Sequence, residues 1–575
     1  MKPLSFLLLN LCLSFSILGH KQEVYLVEEC VRNNYTENSC NKVFCQPWQK
    51  CVYGSCLCKI PYQCPKNGTS VCATNKITFR NYCQLKSYEC QHKTVRFLSR
   101  GNCNPQDSFV ISLDPRTATT EGLLQVEVNH SGKIFVCGND LSINEANVAC
   151  RHLGFPEGAD GKESIEPDGH SHSLECLKAT CRGTETSLAE CALTRLNQFN
   201  GKLAKVICHG NHRECSSREF HCVNEKCINS NKVCNGINDC GDLSDELCCK
   251  ACKEESFRCN SDVCIPNKYL CNNEMDCLTG EDENPQLCNK AANEPGREGI
   301  GHAEESMDKE RKKIKTLLPQ LHCGVVIPIR TRKKRMLGGY AAAQNEYPWH
   351  VAIFNQLGSL LCSGVYIGGC WVLTAAQCIN LHNIQDYKIW TMMLNSLMFN
   401  LDMETFRLNR VIIHEYYNSQ TNENDIALVE MKTRSPGSSC PTSNVVPICI
   451  PWSQYMFKSG QQCKVSGYDG LRNPFVLNWG YADLMRNCSE IYKERYLTGM
   501  ECAGTPDGLV DVCTGVLGGP LVCYDANNVG YLWGIVSWGE NCDRKGHPAV
   551  YTKVAHYFDW IARHTGVSVI SRYNV

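Results

Sequence analysis

Residues 513–520 read C-T-G-V-L-G-G-P, and the tripeptide S-W-G follows at 537–539. Upstream, T-A-A-Q-C stands at 374–378 and D-I-A-L at 425–428. Around these landmarks the chain alternates short β-type segments with glycine punctuation. Its 12 cysteines from Cys323 onward are spread thinly, and one amphipathic stretch, 553–564, closes the region. Short strands with turn signals and a single terminal amphipathic segment predict a large all-β domain with a C-terminal helix. At its front lies the run Arg332-Lys333-Lys334-Arg335, then Met336-Leu337-Gly338-Gly339 and Pro348-Trp349. A basic run by itself is a solvated charge cluster; followed by this apolar segment it reads as a processing site between Arg335 and Met336.

Working outward, 43 cysteines among 575 residues are too many for a reducing compartment. The net charge is −1, from 58 basic and 59 acidic residues, so nucleic acid is not an implied partner. Lys2 and an apolar run over 4–18 mark residues 1–19 as a secretory signal, and the mature protein is expected to be extracellular. No later stretch reaches the ~18 apolar residues of a membrane span. Removing Cys12 with the signal leaves 42 cysteines, an even number that permits 21 disulfides. Asn34, Asn67, Asn129 and Asn487 each begin an N-x-S/T sequon and are candidate glycosylation sites.

Cysteine density divides the rest. Residues 30–103 hold 11 cysteines, so dense a set that bridges must replace a core. Residues 108–210 hold six, with alternating segments and an amphipathic stretch at 145–153, as expected of a mixed domain. Residues 214–249 and 251–288 are two copies of one unit, each with a first gap of seven and a second of five between cysteines. Both place an acid before the fifth cysteine (Asp239, Asp276) and an acidic pair beyond it (Asp245-Glu246, Asp282-Glu283). Carboxylates clustered at matching offsets in so small a module repel one another unless a hard cation lies among them, and calcium takes such oxygen ligands. Residues 289–335, rich in Glu, Lys, Gly and Arg, read as a linker with a helical latter half and the basic processing site. The doubled Cys248-Cys249 leaves one cysteine over in the first repeat and the N-terminal module has an odd number, so a Cys30–Cys248 bridge balances both.

The landmarks of 336–575 resemble those of trypsin-like serine proteases, and the resemblance implies a double β-barrel. In that family the position of Gln377 carries the general-base histidine and that of Leu517 the nucleophilic serine; Asp425 is retained. A glutamine amide takes up no proton near neutral pH, and leucine has no hydroxyl to activate. Val516 stands where the family has the aspartate that pairs with the freed N-terminus. Asp511, Ser537, Gly539 and Ala549 correspond to the specificity pocket, with Ala549 replacing the usual glycine, and Gly515 to an oxyanion donor. The family pattern implies Cys362–Cys378, Cys463–Cys523, Cys488–Cys502 and Cys513–Cys542, leaving Cys370–Cys440 by subtraction.

The two repeats, including C-N-G-I-N-D-C-G-D-L-S-D-E at 234–246, resemble low-density-lipoprotein-receptor class A modules. The resemblance implies calcium ligation by the side chains of Asn235, Asp239, Asp245 and Glu246 with the carbonyls of Lys232 and Ile237. In the second module it implies Asn272, Asp276, Asp282 and Glu283 with the carbonyls of Tyr269 and Glu274. The segments N-V-A-C-R-H-L-G-F at 147–155 and C-R-G-T-E-T-S-L-A-E-C at 181–191 are similar to a scavenger-receptor cysteine-rich domain, and 30–103 to a follistatin/Kazal-like module. The fold class is therefore multidomain, disulfide-rich and mostly β. The complete order resembles that of complement-regulating plasma proteases. That likeness implies heavy and light chains joined by Cys323–Cys449, and as partners the activated third and fourth complement components with a cofactor protein such as factor H. Three readings stay open: a regulator without peptidase chemistry, an active trypsin-like endopeptidase acting on those components, and a secreted scavenger-type binding protein.

Overall fold

A computed structural model describes residues 26–114, 119–167, 174–199, 201–210, 213–253, 256–291, 306–317, 322–325, 335–336, 339–343, 346–391, 405–433, 440, 445–469, 473–505, 517–539 and 547–566. The expected signal lies outside these residues, as do Asp511, Cys513, Gly515, Val516 and Cys542. The chain divides near residue 318 into two compact units.

The second unit carries two six-stranded barrels. The first closes through His350–Phe354, Leu360–Gly368, Trp371–Thr374, Ala427–Met431, Thr405–Ile413 and Lys388–Thr391. In the other, Asn473–Leu484 pairs with both Gln462–Asp469 and Met500–Gly504, and Pro520–Tyr524, Gly530–Trp538 and Ala549–Lys553 complete the ring. Unbroken apolar strands such as His350–Phe354 are buried on both faces, as barrel walls lined inside and covered outside require. The C-terminal amphipathic stretch becomes a short 3-10 turn and the helix Phe558–Thr565, which buries Phe558, Trp560 and Ile561.

In the first unit the six-cysteine domain is a seven-stranded sheet covered by the helix Ile143–Leu153. Ser142 and Glu145 form a reciprocal cap at the helix start, and Gly154, at φ +103°, ends it in the left-handed region. Ala146, Val148 and Ala149 pack with Leu124, Val136, Leu188 and Val206 beneath. Each calcium-type repeat is built on one hairpin followed by a 3-10 turn around three disulfides, and the second adds a further 3-10 turn, Glu281–Glu283, and the helix Pro285–Ala291.

Two segments pack in ways that their spacing did not announce. The N-terminal end of the module expected over 30–103 packs on the repeats. Leu26 and Cys30 pack into the core of the repeats with Cys222, Ile228 and Leu247, and Val27 N–H donates to Cys248 O at 2.9 Å. The Cys30–Cys248 bridge supplies the reason, since it draws this end to the first repeat. The helix expected in the latter half of the 289–335 linker is Met307–Leu317, and it is docked, with Met307, Arg311 and Ile314 buried. Spaced i, i+4 and i+7, these three lie on one face; Met307 and Ile314 join the core of Leu85, Tyr82 and Phe97.

Twenty disulfides lie among the described residues; six of them are the expected Cys30–Cys248, Cys323–Cys449, Cys362–Cys378, Cys463–Cys523, Cys488–Cys502 and Cys370–Cys440, the last with Cα atoms 4.9 Å apart, while Cys513–Cys542 lies outside the described residues. All four sequon asparagines are exposed. No helix among the described residues is long and apolar enough to cross a membrane.

Candidate active site and candidate ion sites

Gln377 lies in the 3-10 turn Ala376–Cys378, directly after the barrel strand Trp371–Thr374, and Asp425 precedes the neighbouring strand Ala427–Met431. The pairing of these strands brings the two residues together. Asp425 is fully buried, and its Oδ1 accepts from the Gln377 backbone N–H at 3.0 Å. Its Oδ2 accepts from Gln377 Nε2 and from Ser537 Oγ, both at 2.6 Å. Burial raises the Asp425 carboxyl above the usual carboxylate range, while these hydrogen bonds pull it back.

Gln377 Nε2 also donates to the Ser537 carbonyl at 2.8 Å. A primary amide has two N–H donors, and both are thereby engaged. The amide nitrogen thus faces Asp425 as a donor, and the side chain offers no basic nitrogen. Leu517 is half-buried, and its carbonyl accepts from Ser363 N–H at 2.8 Å. Gly518 follows at φ +79°; a Cβ there would stand 2.3 Å from Thr374 Oγ1 and 2.4 Å from Ser363 O. Ser537 and Ala549 are buried, and Gly539 has space for a Cβ 3.9 Å from Ala549 Cα. The expected Asp511 and Gly515 positions fall outside the described residues.

The acid clusters of the repeats share one hydrogen-bond framework. Glu246 accepts from Asn235 and Gly236 N–H at 2.8 Å each, as Glu283 does from Asn272 and Asn273 at 2.7 and 3.1 Å. Asp245 Oδ2 accepts from Asp239 N–H at 2.8 Å, and Asp282 Oδ2 from Asp276 N–H at 2.7 Å. Burial, with repulsion from Asp239, pushes the Asp245 carboxyl up to about 8; burial likewise raises Asp282 to about 7. Asp245 Oδ1 is buried without a hydrogen-bond partner. Lys232 Nζ lies 2.9 Å from Asp239 Oδ1, and Asn235 Nδ2 donates to Asp239 Oδ2 at 3.1 Å. The donor set is all oxygen, and an orphaned buried carboxylate oxygen beside acids that resist ionisation fits a hard cation.

At the junction, Arg335–Met336 forms a two-residue strand paired with Gly339–Ala341.

Family models match in the expected order. Trypsin covers 336–561 and the scavenger receptor cysteine-rich domain 116–209. The low-density lipoprotein receptor domain class A covers 213–249 and 250–288. Two models are more specific: the complement factor I FIMAC N-terminal domain matches 36–56 and the complement factor I KAZAL domain 58–103. Complement factor I of Mus musculus is 47% identical over 577 residues, spanning 96% of both chains. The chain belongs to the complement factor I family. Complement factor I of Rattus norvegicus is also 47% identical, over 600 residues, covering 100% of this chain and 99% of its own. The hepatocyte growth factor activator serine protease of Homo sapiens is 34% identical over 246 residues, 40% of this chain and 36% of its own.

Within this factor I architecture the expected 30–103 module is matched by two adjacent models. Some residues at these sites escaped the sequence. Thr552 Oγ1 donates to Asp425 O at 2.7 Å, fixing the acid's backbone. Arg182, Arg311 and Lys315 converge on Glu274 from positions remote in the chain. Nothing around Arg182 in C-R-G-T-E-T announces a role in a repeat that begins some seventy residues later.

Proposed function

We propose that this factor I family member is a secreted regulator of complement that binds activated complement components, or their cofactor protein, without cleaving them. The observation that supports this most directly is Gln377: both of its amide hydrogens are committed, to Asp425 Oδ2 and to Ser537 O. A serine hydroxyl would need a base to receive its proton, and at residue 517 there is only a hydrocarbon side chain. The purified protein, processed after Arg335, should form no adduct with a fluorophosphonate probe and cleave no Arg-containing peptide. It should nevertheless bind immobilised activated third complement component in the presence of factor H. Cofactor-dependent cleavage by protein free of contaminating protease would sink the reading.

The same proposal assigns one calcium ion to each repeat. The side chains of Asn235, Asp239, Asp245 and Glu246, with the carbonyls of Lys232 and Ile237, would hold the first. Asn272, Asp276, Asp282 and Glu283, with the carbonyls of Tyr269 and Glu274, would hold the second. Each ion would neutralise acids that burial otherwise keeps from ionising, and Lys232, 44% exposed, can leave Asp239 for solvent. Calorimetry on the whole protein should register two binding events that disappear with chelator. Glycans at Asn34, Asn67, Asn129 and Asn487 belong to the same picture of a plasma glycoprotein.

A further inference from the structure

In the second repeat, three residues assigned to the ion also hold other parts of the first unit through their remaining groups. The Tyr269 ring lies under the Arg182 guanidinium, 4.5 Å from its centroid. Asp276 Oδ1 accepts from Arg182 Nη2, while its Oδ2 accepts from Asn272 at 3.1 Å. Glu274 receives a bidentate pair from Arg311, Nη1 at 2.7 Å and Nη2 at 2.6 Å. Lys315 Nζ adds a bond at 3.1 Å, and Arg182 Nη1 stands at 3.5 Å. Burial by itself would raise the Glu274 carboxyl, but the Arg311 hydrogen bonds and the surrounding cations hold it well below the carboxylate range. Arg182 belongs to the six-cysteine domain; Arg311 and Lys315 belong to the helix Met307–Leu317.

The first repeat is an internal contrast. At the positions of Tyr269 and Glu274 it has Lys232 and Ile237. Lys232 turns back onto the repeat's own Asp239, and Ile237 is exposed. Its ion-facing residues therefore lack the two side chains that dock neighbours in the second repeat.

We infer that calcium binding to the second repeat and the docking of Arg182 and the helix Met307–Leu317 are one linked equilibrium, in which the ion stabilises the docked helix. This rests on the calcium reading proposed above. The ion would take the carbonyls of Tyr269 and Glu274 and draw on the Asp276 carboxylate. It would thereby fix the short segment 269–276, whose ring and carboxylates form the dock. Without it, Asp276, Asp282 and Glu283 repel one another in a module with little core, and the dock loosens. The coupling is reciprocal: a docked helix raises affinity for the ion by the same factor that the ion stabilises docking.

Hydrogen exchange on the whole protein tests this, with calcium or with chelator, following the amides of 309–317 while calorimetry counts bound ions. Chelation should speed exchange in that helix by about tenfold, within the ordinary range of such couplings. Asp282→Asn should bind one ion fewer and exchange in calcium as the chelated protein does. Glu274→Gln keeps the backbone carbonyl, so it should still bind two ions, yet its helix should exchange fast in either condition. Two ions bound with helix exchange indifferent to chelator would overturn the linkage and leave the calcium reading standing. Absence of the second binding event would overturn the calcium reading and the linkage with it.

Discussion

Asp425 keeps its full set of partners although it has no imidazole to orient. Removing the acid would strand Gln377 Nε2, Ser537 Oγ and the backbone N–H of Gln377 around a buried void, a structural cost that holds whatever the site's chemistry. Components of a catalytic unit are strongly non-additive. Leu517→Ser alone and Gln377→His alone should therefore leave fluorophosphonate labelling at background. Labelling should rise only in the double variant, and further when Val516→Asp and Ala549→Gly are added. A second residue gives a pH signature. His350 is fully buried between Ser466 Oγ and Ser363 Oγ, each 3.0 Å away, and burial lowers its pKa to about 3. Unfolded, the imidazole titrates near ~6.5. Because the folded value is depressed, the stabilisation is complete above the unfolded value and is lost as pH falls from there toward the folded one. The slope from this group is at most about 1.4 kcal/mol per pH unit. Denaturant unfolding of the trypsin-like unit should show this loss between pH 7 and pH 5, and His350→Gln should flatten it.

Elements carry their own constraints. The turn after Leu517 survives because Gly518 has no Cβ: any side chain would press on Thr374 Oγ1 and on the Ser363 carbonyl at a φ that favours glycine. Gly518→Ala should destabilise the trypsin-like unit by more than about 2 kcal/mol in thermal or denaturant unfolding. The helix Met307–Leu317 makes a different point. Eight of its eleven residues are not buried, and its charge made the segment read as a linker. Its docking depends on Met307 and Ile314 in an apolar core and on Arg311 against Glu274. Ile314→Ala should cost about 2–4 kcal/mol of local docking free energy and expose 309–317 to proteolysis. By contrast, Ile143–Leu153 was legible from its cap, its periodicity and its terminal glycine, all of them local features.

For the whole molecule, the basic junction and the Cys323–Cys449 bridge act together. A convertase reading Arg332–Arg335 should yield two chains that stay together on non-reduced gels and separate when reduced. Cleavage should leave the thermal transition of the trypsin-like unit unchanged, because Val516 offers no carboxylate to draw the new Met336 amine inward. A rise in that transition on cleavage would mean that another acid receives the terminus.

The amino-acid sequence by itself determined the order of modules, the even cysteine count left after the signal and the residue types at 377 and 517. Those properties are written in residue identity at short, fixed spacings: a glutamine at 377 has no basic nitrogen in any fold, and two modules with odd cysteine counts can balance each other through one bridge between them. Only the tertiary structure decided that Leu26 and Cys30 belong with the repeats, that 307–317 is a packed helix, and that Arg182, Arg311 and Lys315 gather around one repeat's acids. A buried ion pair between residues ninety or more positions apart leaves no local periodicity, because its partners are chosen by the shape of the packed modules and by the need to neutralise charge removed from water.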